Sequence, residues 1–146
     1  MIRLNDIDAG YTIARTANVN FNPEVDPVIS RVDQNGALRG GVIFQNYTER
    51  SICVHMAGYD PHWANRDLLW TVFDYAFNQL GCEWVLAQVP SHNEEALAID
   101  KKLGFKELTR IPDVFPDGDM IVLRMRREEC KWLSVTPRTI KSNRVT

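Results

Sequence analysis

The chain has 146 residues, 45% of them hydrophobic and 25% charged, with a net charge of −2. That length suits one domain with a sizeable core, and so small a net charge gives no global field drawing the protein to nucleic acid or an anionic membrane. No apolar run approaches the roughly 20 residues of a membrane span, and the start, with Asp6 and Asp8, does not read as a secretory signal. Cys53, Cys82 and Cys130 are odd in number and contain no C-x-x-C pair. They read as three reduced, buried thiols in a cytoplasmic protein.

In chain order, Ile2-Arg3-Leu4 reads as a short first strand. Asp6 to about Val19 reads as one weak helix with Ile7, Tyr11, Ile13 and Ala14 on a face. Asn18 to Pro27 is rich in turn formers. Three strand-like runs follow, Pro27 to Val32, Ala37 to Asn46 and Ser51 to Tyr59. Asn35-Gly36 is a tight-hairpin signal, so these runs predict an antiparallel meander, and Gly40-Gly41 marks a bulge or a close backbone approach. In the third run Cys53, His55 and Ala57 share one face, and Ile52, Val54 and Met56 the other. After a loop from Asp60 to Asn65, apolar residues recur at helical spacing from Leu68 to Leu80. Asn65 is the expected N-cap and Gly81 the stop.

Trp84 to Val89 is an apolar run without alternation, which suits a strand buried on both faces, and Pro90 is expected to end it. Ser91 and Glu94 have capping-box spacing, with Asn93 in the first turn or itself the cap. Ala96, Leu97, Ile99 and Leu103 form an apolar stripe, and Gly104 fits a left-handed stop. The strand–helix–strand sequence over residues 51–89 predicts a parallel pair with a right-handed crossover. Lys106 to Ile111 and Met120 to Met125 read as closing strands around a loop from Pro112 to Asp119. Glu128 to Leu133 reads as a helical turn. Ser134 to Thr146 holds Arg138, Lys141 and Arg144 and no acid, and reads as a mobile basic tail. Trp70, Trp84 and Trp132 are assigned to core packing.

One motif is more specific than the order of elements. Asn93, Ala96, Ile99, Lys102, Gly104 and Phe105 stand at the spacing Asn-x-x-Ala-x-x-Ile-x-x-Lys-x-Gly-Phe, directly after a strand. The segment Asp117-Gly118-Asp119-Met120-Ile121-Val122-Leu123 follows, and then Glu128-Glu129-Cys130-Lys131-Trp132. Over about residues 26–133 this resembles the GNAT superfamily of acetyl-coenzyme A-dependent N-acetyltransferases. The ending is similar to the branch that includes ribosomal-protein acetyltransferases, and the layout to small phage or prophage members. The resemblance implies an α/β (α+β) fold: a single GNAT-like domain over residues 1–133. Its mixed central sheet would have about six to seven strands, flanked by helices, with the parallel pair at strands four and five splayed.

The resemblance also implies acetyl-coenzyme A as co-substrate. Its pantetheine arm would enter the splay beside His55, Met56 and Ala57, pair with backbone like an added strand, and meet Asn93. Its pyrophosphate would sit at the next helix's N-terminus, which makes Trp63, Ala64, Asn65 and Arg66 cofactor-binding candidates. Asp60-Pro61-His62-Trp63-Ala64-Asn65 matches no diagnostic position of the family's Gln/Arg-x-x-Gly-x-Gly/Ala loop, so Arg66 is left as the phosphate contact. Asp100 aligns with the family's Tyr that protonates the departing thiolate. It reads as an exposed helix residue, ionised near its ordinary pKa of about 3.9 and so unable to donate. His55 is the general-base candidate, with a satisfied structural histidine as the alternative. His62 and His92 stand near the same sheet edge, but two histidines without a third ligand do not make a metal site, and no metal is expected. Tyr59 and Trp63 either stack on a ligand there or cover the mouth of the core.

These readings predict an N-acetyltransferase in which a primary amine, on a small molecule or a protein, attacks the thioester directly in a ternary complex. The alternative is a non-catalytic GNAT-fold binding or virion-associated protein, favoured by the glycine-free loop and Asp100. A third reading, nucleic-acid binding through Arg124, Arg126, Arg127 and the tail, is opposed by the net charge. The Pro112 to Asp119 loop is expected to overhang the acceptor pocket, and a homodimer through the C-terminal strands is compatible with the layout.

Overall fold

The computed structural model describes residues 1–135, and the expected basic tail lies, from residue 136 on, outside the described residues. The strands are β1 (Ile2–Leu4), β2 (Val28–Val32), β3 (Leu38–Gln45), β4 (Ser51–Gly58), β5 (Trp84–Pro90), β6 (Lys106–Phe115) and β7 (Gly118–Arg126). The α-helices are α1 (Ile7–Ala17), α2 (Arg66–Phe73) and α3 (Glu94–Leu103). The seven strands form one mixed sheet in the order β1-β2-β3-β4-β5-β7-β6, and β4–β5 is its parallel pair. The expected meander, βαβ unit and closing hairpin are all present.

The sheet divides the core. On one face α1 packs Ile13 and Ala14 against Val28, Ile43 and Ala57. On the other, α2 and α3 cover Val42, Phe44, Val54, Val85, Ala87 and Leu123. Phe73 and Phe77 are fully buried there, each contributing roughly 1.5–3 kcal/mol through the apolar surface it removes from water. Beyond Phe73 the helix widens into a π turn over Asp74–Gln79. The wider turn lets both Asn78 and Gln79 donate amide hydrogens to the buried carboxylate of Asp74, each at 2.9 Å.

The expected caps at Asn65, Asn93 and Gly104 form, and Asp6 caps α1 in addition. Asp6, Asn65 and Asn93 accept the amide hydrogens of Ala9, Leu68 and Ala96 through their side chains, and Gly104 ends α3 at φ 116°. Ser91 does not cap. Its hydroxyl accepts from Asp119 N at 3.0 Å and ties the turn after β5 to the last hairpin. Asn93 and Ala96 have the same capping spacing as Ser91 and Glu94, and the local pattern alone did not separate them.

Three expectations on strand ends are corrected. Pro90 stays in β5, in register with Met120, because β5 has lost its other neighbour by that point and no ladder needs the missing N–H. Pro112 to Phe115 is not a loop over a pocket but the second half of β6. The register shift between Ile111 and Phe115 and the edge position accommodate Pro112, and the turn narrows to Pro116-Asp117. Trp84 is only partly buried, on the open face of β5, with the guanidinium groups of Arg124 and Arg126 each 4.9 Å from its ring centre. Trp70 is buried, and Trp132 is half-buried with its Nε1 donating to Leu103 O at 2.8 Å. The cysteines are free and buried. Among the described residues, no helix is long and apolar enough to cross a membrane.

Candidate active site

The cleft arises from a divergence of two strands. β4 and β5 pair at Ser51–Trp84, Ile52–Val85 and Cys53–Leu86, and no further. Each keeps its outer partner to the end: β4 follows β3 to the Gly58–Gly40 pair, and β5 follows β7 to Pro90–Met120. A strand bonded on one side only presents alternate N–H and C=O groups on the other. Those of β4 past Cys53 therefore face the gap.

The gap encloses about 100 Å³. Its lining includes His55, Met56, Ala57, Trp63, Asn93 and Asp100, so the fold gathers these six sequence candidates in one place. Ala64, Asn65 and Arg66 do not line it. Asn65 is spent on capping α2, and Arg66 is exposed. His62 and His92 do not meet across the cleft, since His92 pairs with Asp117 at 3.6 Å. Tyr59 holds α1 rather than a ligand, with its hydroxyl 2.7 Å from Thr16 Oγ1.

His55 projects on the α1 face of the sheet. Burial lowers its pKa below 6.5, and the Asp26 carboxylate only partly restores it. It is therefore neutral at pH 7, the state in which imidazole can accept a proton. Asp100 enters from the other face. It is 6% exposed, and burial alone raises its carboxyl to about 7. Among the described residues no cation or hydrogen-bond donor offsets that burial. The exposed, fully ionised Asp100 expected from the sequence is thus corrected: the side chain is buried in the cleft, and at neutral pH a large fraction carries a proton. The signal was legible, since Asp100 stands four residues after Ala96 and three before Leu103, inside the apolar stripe.

Asn93 engages its carbonyl oxygen in the α3 cap at 3.1 Å and also lines the cleft, so the cap leaves its amide NH₂ unengaged by that bond. Gln88, the lone polar residue of the run from Trp84 to Val89, also lines the cleft and was missed as a site residue. Its polarity in an otherwise apolar strand was the available clue.

At the mouth the chain departs from an anion cradle. Asp60 opens the loop before α2. Its Oδ1 accepts from His62 N at 2.7 Å and its Oδ2 meets Arg39 Nε. Against a burial effect that would raise it, these two partners hold the Asp60 carboxyl below its ordinary range. Arg31 Nη1 donates to the carbonyls of His62 and Trp63 at 3.0 and 3.3 Å. Trp63 N bonds back to Asp60 O at 3.3 Å. The Trp63 indole, 7% exposed, lies on Gly40 and Gly58, where a Cβ on either glycine would enter the ring. The cleft therefore has room for a narrow arm, whereas its outer end is closed by the Trp63 indole and the loop beyond carries the Asp60 carboxylate, which does not suit a diphosphate.

No family model and no curated protein matches the sequence. Solved structures do resemble it in fold. A point mutant of the spermidine N-acetyltransferase from Vibrio cholerae superposes with a TM-score of 0.68 at 17% identity, over 91% of this chain and 97% of that one. A further variant of the spermidine/spermine N-acetyltransferase from Vibrio cholerae gives 0.70 at 17% identity, over 92% and 96%. A protein assigned as a phosphinothricin N-acetyltransferase gives 0.58 at 19% identity, over 86% and 97%. The chain has the GNAT fold.

Proposed function

We propose that this protein is an N-acyltransferase that moves an acetyl group from a thioester to a primary amine within the β4–β5 cleft. The carrying observation is the pair of side chains facing that cleft, a neutral His55 and a buried, protonatable Asp100. Two titratable groups with displaced pKa values in one cleft are the pattern of a base and an acid.

A neutral amine attacks the carbonyl carbon, and His55 takes the proton that its nitrogen sheds as the C–N bond forms. Cleft-facing amides of β4 stabilise the oxyanion. As the new C–N bond forms and the C–S bond breaks, Asp100 gives its proton to the departing sulfur. Proton exchange with water then resets both groups. Acetyl-coenzyme A is the thioester to try first, and Asn93 and the β4 backbone at Met56 and Ala57 would hold its arm. The structural neighbours are named for spermidine, spermine and phosphinothricin, so small amines are the acceptor class to screen. The reading is of a cytoplasmic enzyme, and its buried free thiols accord with that.

Thiol release from acetyl-coenzyme A or acetyl-pantetheine, assayed against a panel of primary amines, tests this. Release is expected for at least one amine. It should fall about 100-fold or more in His55→Gln, the usual scale of general-base loss. A full panel with no release, and a melting temperature unmoved by either thiol, would remove the enzyme reading. The non-catalytic binding reading, which the closed mouth favours, would then stand.

A further inference from the structure

We propose that the cleft recognises its acyl donor through a nucleotide-free thiol arm of the pantetheine type, and that the diphosphate of coenzyme A is not recognised. The inference rests on the thioester reading above and deepens it. Three independent contacts point the same way.

First, two amides of the loop, those of His62 and Trp63, are already used. His62 N and Trp63 N both bond to Asp60, one to its carboxylate and one to its carbonyl. The carboxylate thus takes the place an external anion would need, and Arg39 neutralises it from the other side. A diphosphate would have to displace a charge-paired carboxylate that is tethered to the same loop and so effectively present at high concentration.

Second, Arg31 binds the carbonyls of His62 and Trp63, and so fixes this part of the loop by its acceptors. Phosphate recognition needs converging N–H groups. Third, the Trp63 indole seals the strand end. Gly40 and Gly58 stand opposite each other in register, and their missing side chains make the shelf on which the ring rests. The lining of the cleft ends at Trp63 and includes neither Asp60 nor Arg66. Inside the seal are a strand edge with free backbone groups, an asparagine amide and apolar walls. These suit the amides and methylenes of a pantetheine arm and the acyl group at its end.

Calorimetric titration of the full chain with pantetheine, coenzyme A and adenosine 3′,5′-bisphosphate tests this without needing the acceptor. Pantetheine and coenzyme A are expected to bind with dissociation constants within about threefold of each other, and the bisphosphate to give no heat. In Asp60→Ala, coenzyme A should gain at least about threefold over pantetheine, because the competing carboxylate is gone. That variant changes a loop residue outside the cleft, and its melting curve confirms folding. Coenzyme A binding roughly tenfold or more tightly than pantetheine would overturn the inference while leaving the thioester reading intact. Binding of neither thiol would overturn both. An unchanged coenzyme A preference in Asp60→Ala would overturn the role given to Asp60.

Discussion

His55 and Asp100 look into one cleft from opposite faces of the sheet, and burial shifts them in opposite directions on the pH scale. Burial disfavours whichever form is charged. It therefore strips the proton from the imidazole and keeps one on the carboxyl.

This opposition sets the pH profile of the proposed reaction. The rate needs His55 unprotonated and Asp100 protonated. kcat/KM should rise through a pH below 6.5 and fall above about 7, leaving a narrow optimum. His55→Gln should flatten the acid limb and Asp100→Asn the alkaline one. If Asp100→Asn keeps the alkaline limb, the acid is another group.

Asp100 also predicts a stability change with a definite sign. Its folded pKa, about 7, lies above the ordinary carboxylate value of 3.8. Between those values the folded state holds a proton that the unfolded chain has lost, so stability falls as pH rises through the window and levels off above it. Asp100→Asn stays neutral throughout. It should match the wild type in urea unfolding at pH 4 and exceed it at pH 8, by at most about 4 kcal/mol. Equal stabilities at pH 8 would mean that the carboxylate is solvated.

The two roles of Asn93 are separable. Asn93→Asp keeps a side-chain oxygen for the Ala96 amide and loses the NH₂, so unfolding should be nearly unchanged while pantetheine binding weakens. Asn93→Ala loses both, at a cost of about 1 kcal/mol for the cap. If Asn93→Asp binds pantetheine normally, Asn93 is a cap alone.

The packing of Trp63 on Gly58 gives a steric prediction. Gly58→Ala places a methyl inside the indole, which overpacks the cleft mouth and should cost roughly 1–3 kcal/mol. Denaturant unfolding measures the loss. A red-shifted tryptophan emission should accompany it as the ring is pushed into water.

Much of this fold was legible because its signals are local. The periodicity of Leu68 to Leu80, the Asn35-Gly36 turn and the Asn93-to-Phe105 motif each act within a few residues. Errors came where a distant partner decided. The sequence places Pro112 in a loop, because its compatibility with a strand depends on lying at a sheet edge beside a register shift. Trp84 reads as a core residue because nothing local shows that two arginines cover its ring on the open face of the sheet. Asp60 was visible as a negative charge in the loop. Its pairing with Arg39, which stands far from it in the chain, was not.

The sequence by itself determined the elements, their faces and the unit from Trp84 to Phe105, because hydrogen-bond periodicity and capping are properties of short segments. Only the tertiary structure decided the splay of β4 from β5, the burial of Asp100 and the seal of Trp63 over two glycines. Each depends on which surfaces residues far apart in the chain exclude from water, and that exclusion makes Asp100, by sequence an ordinary helix carboxylate, a group able to give up a proton near neutral pH.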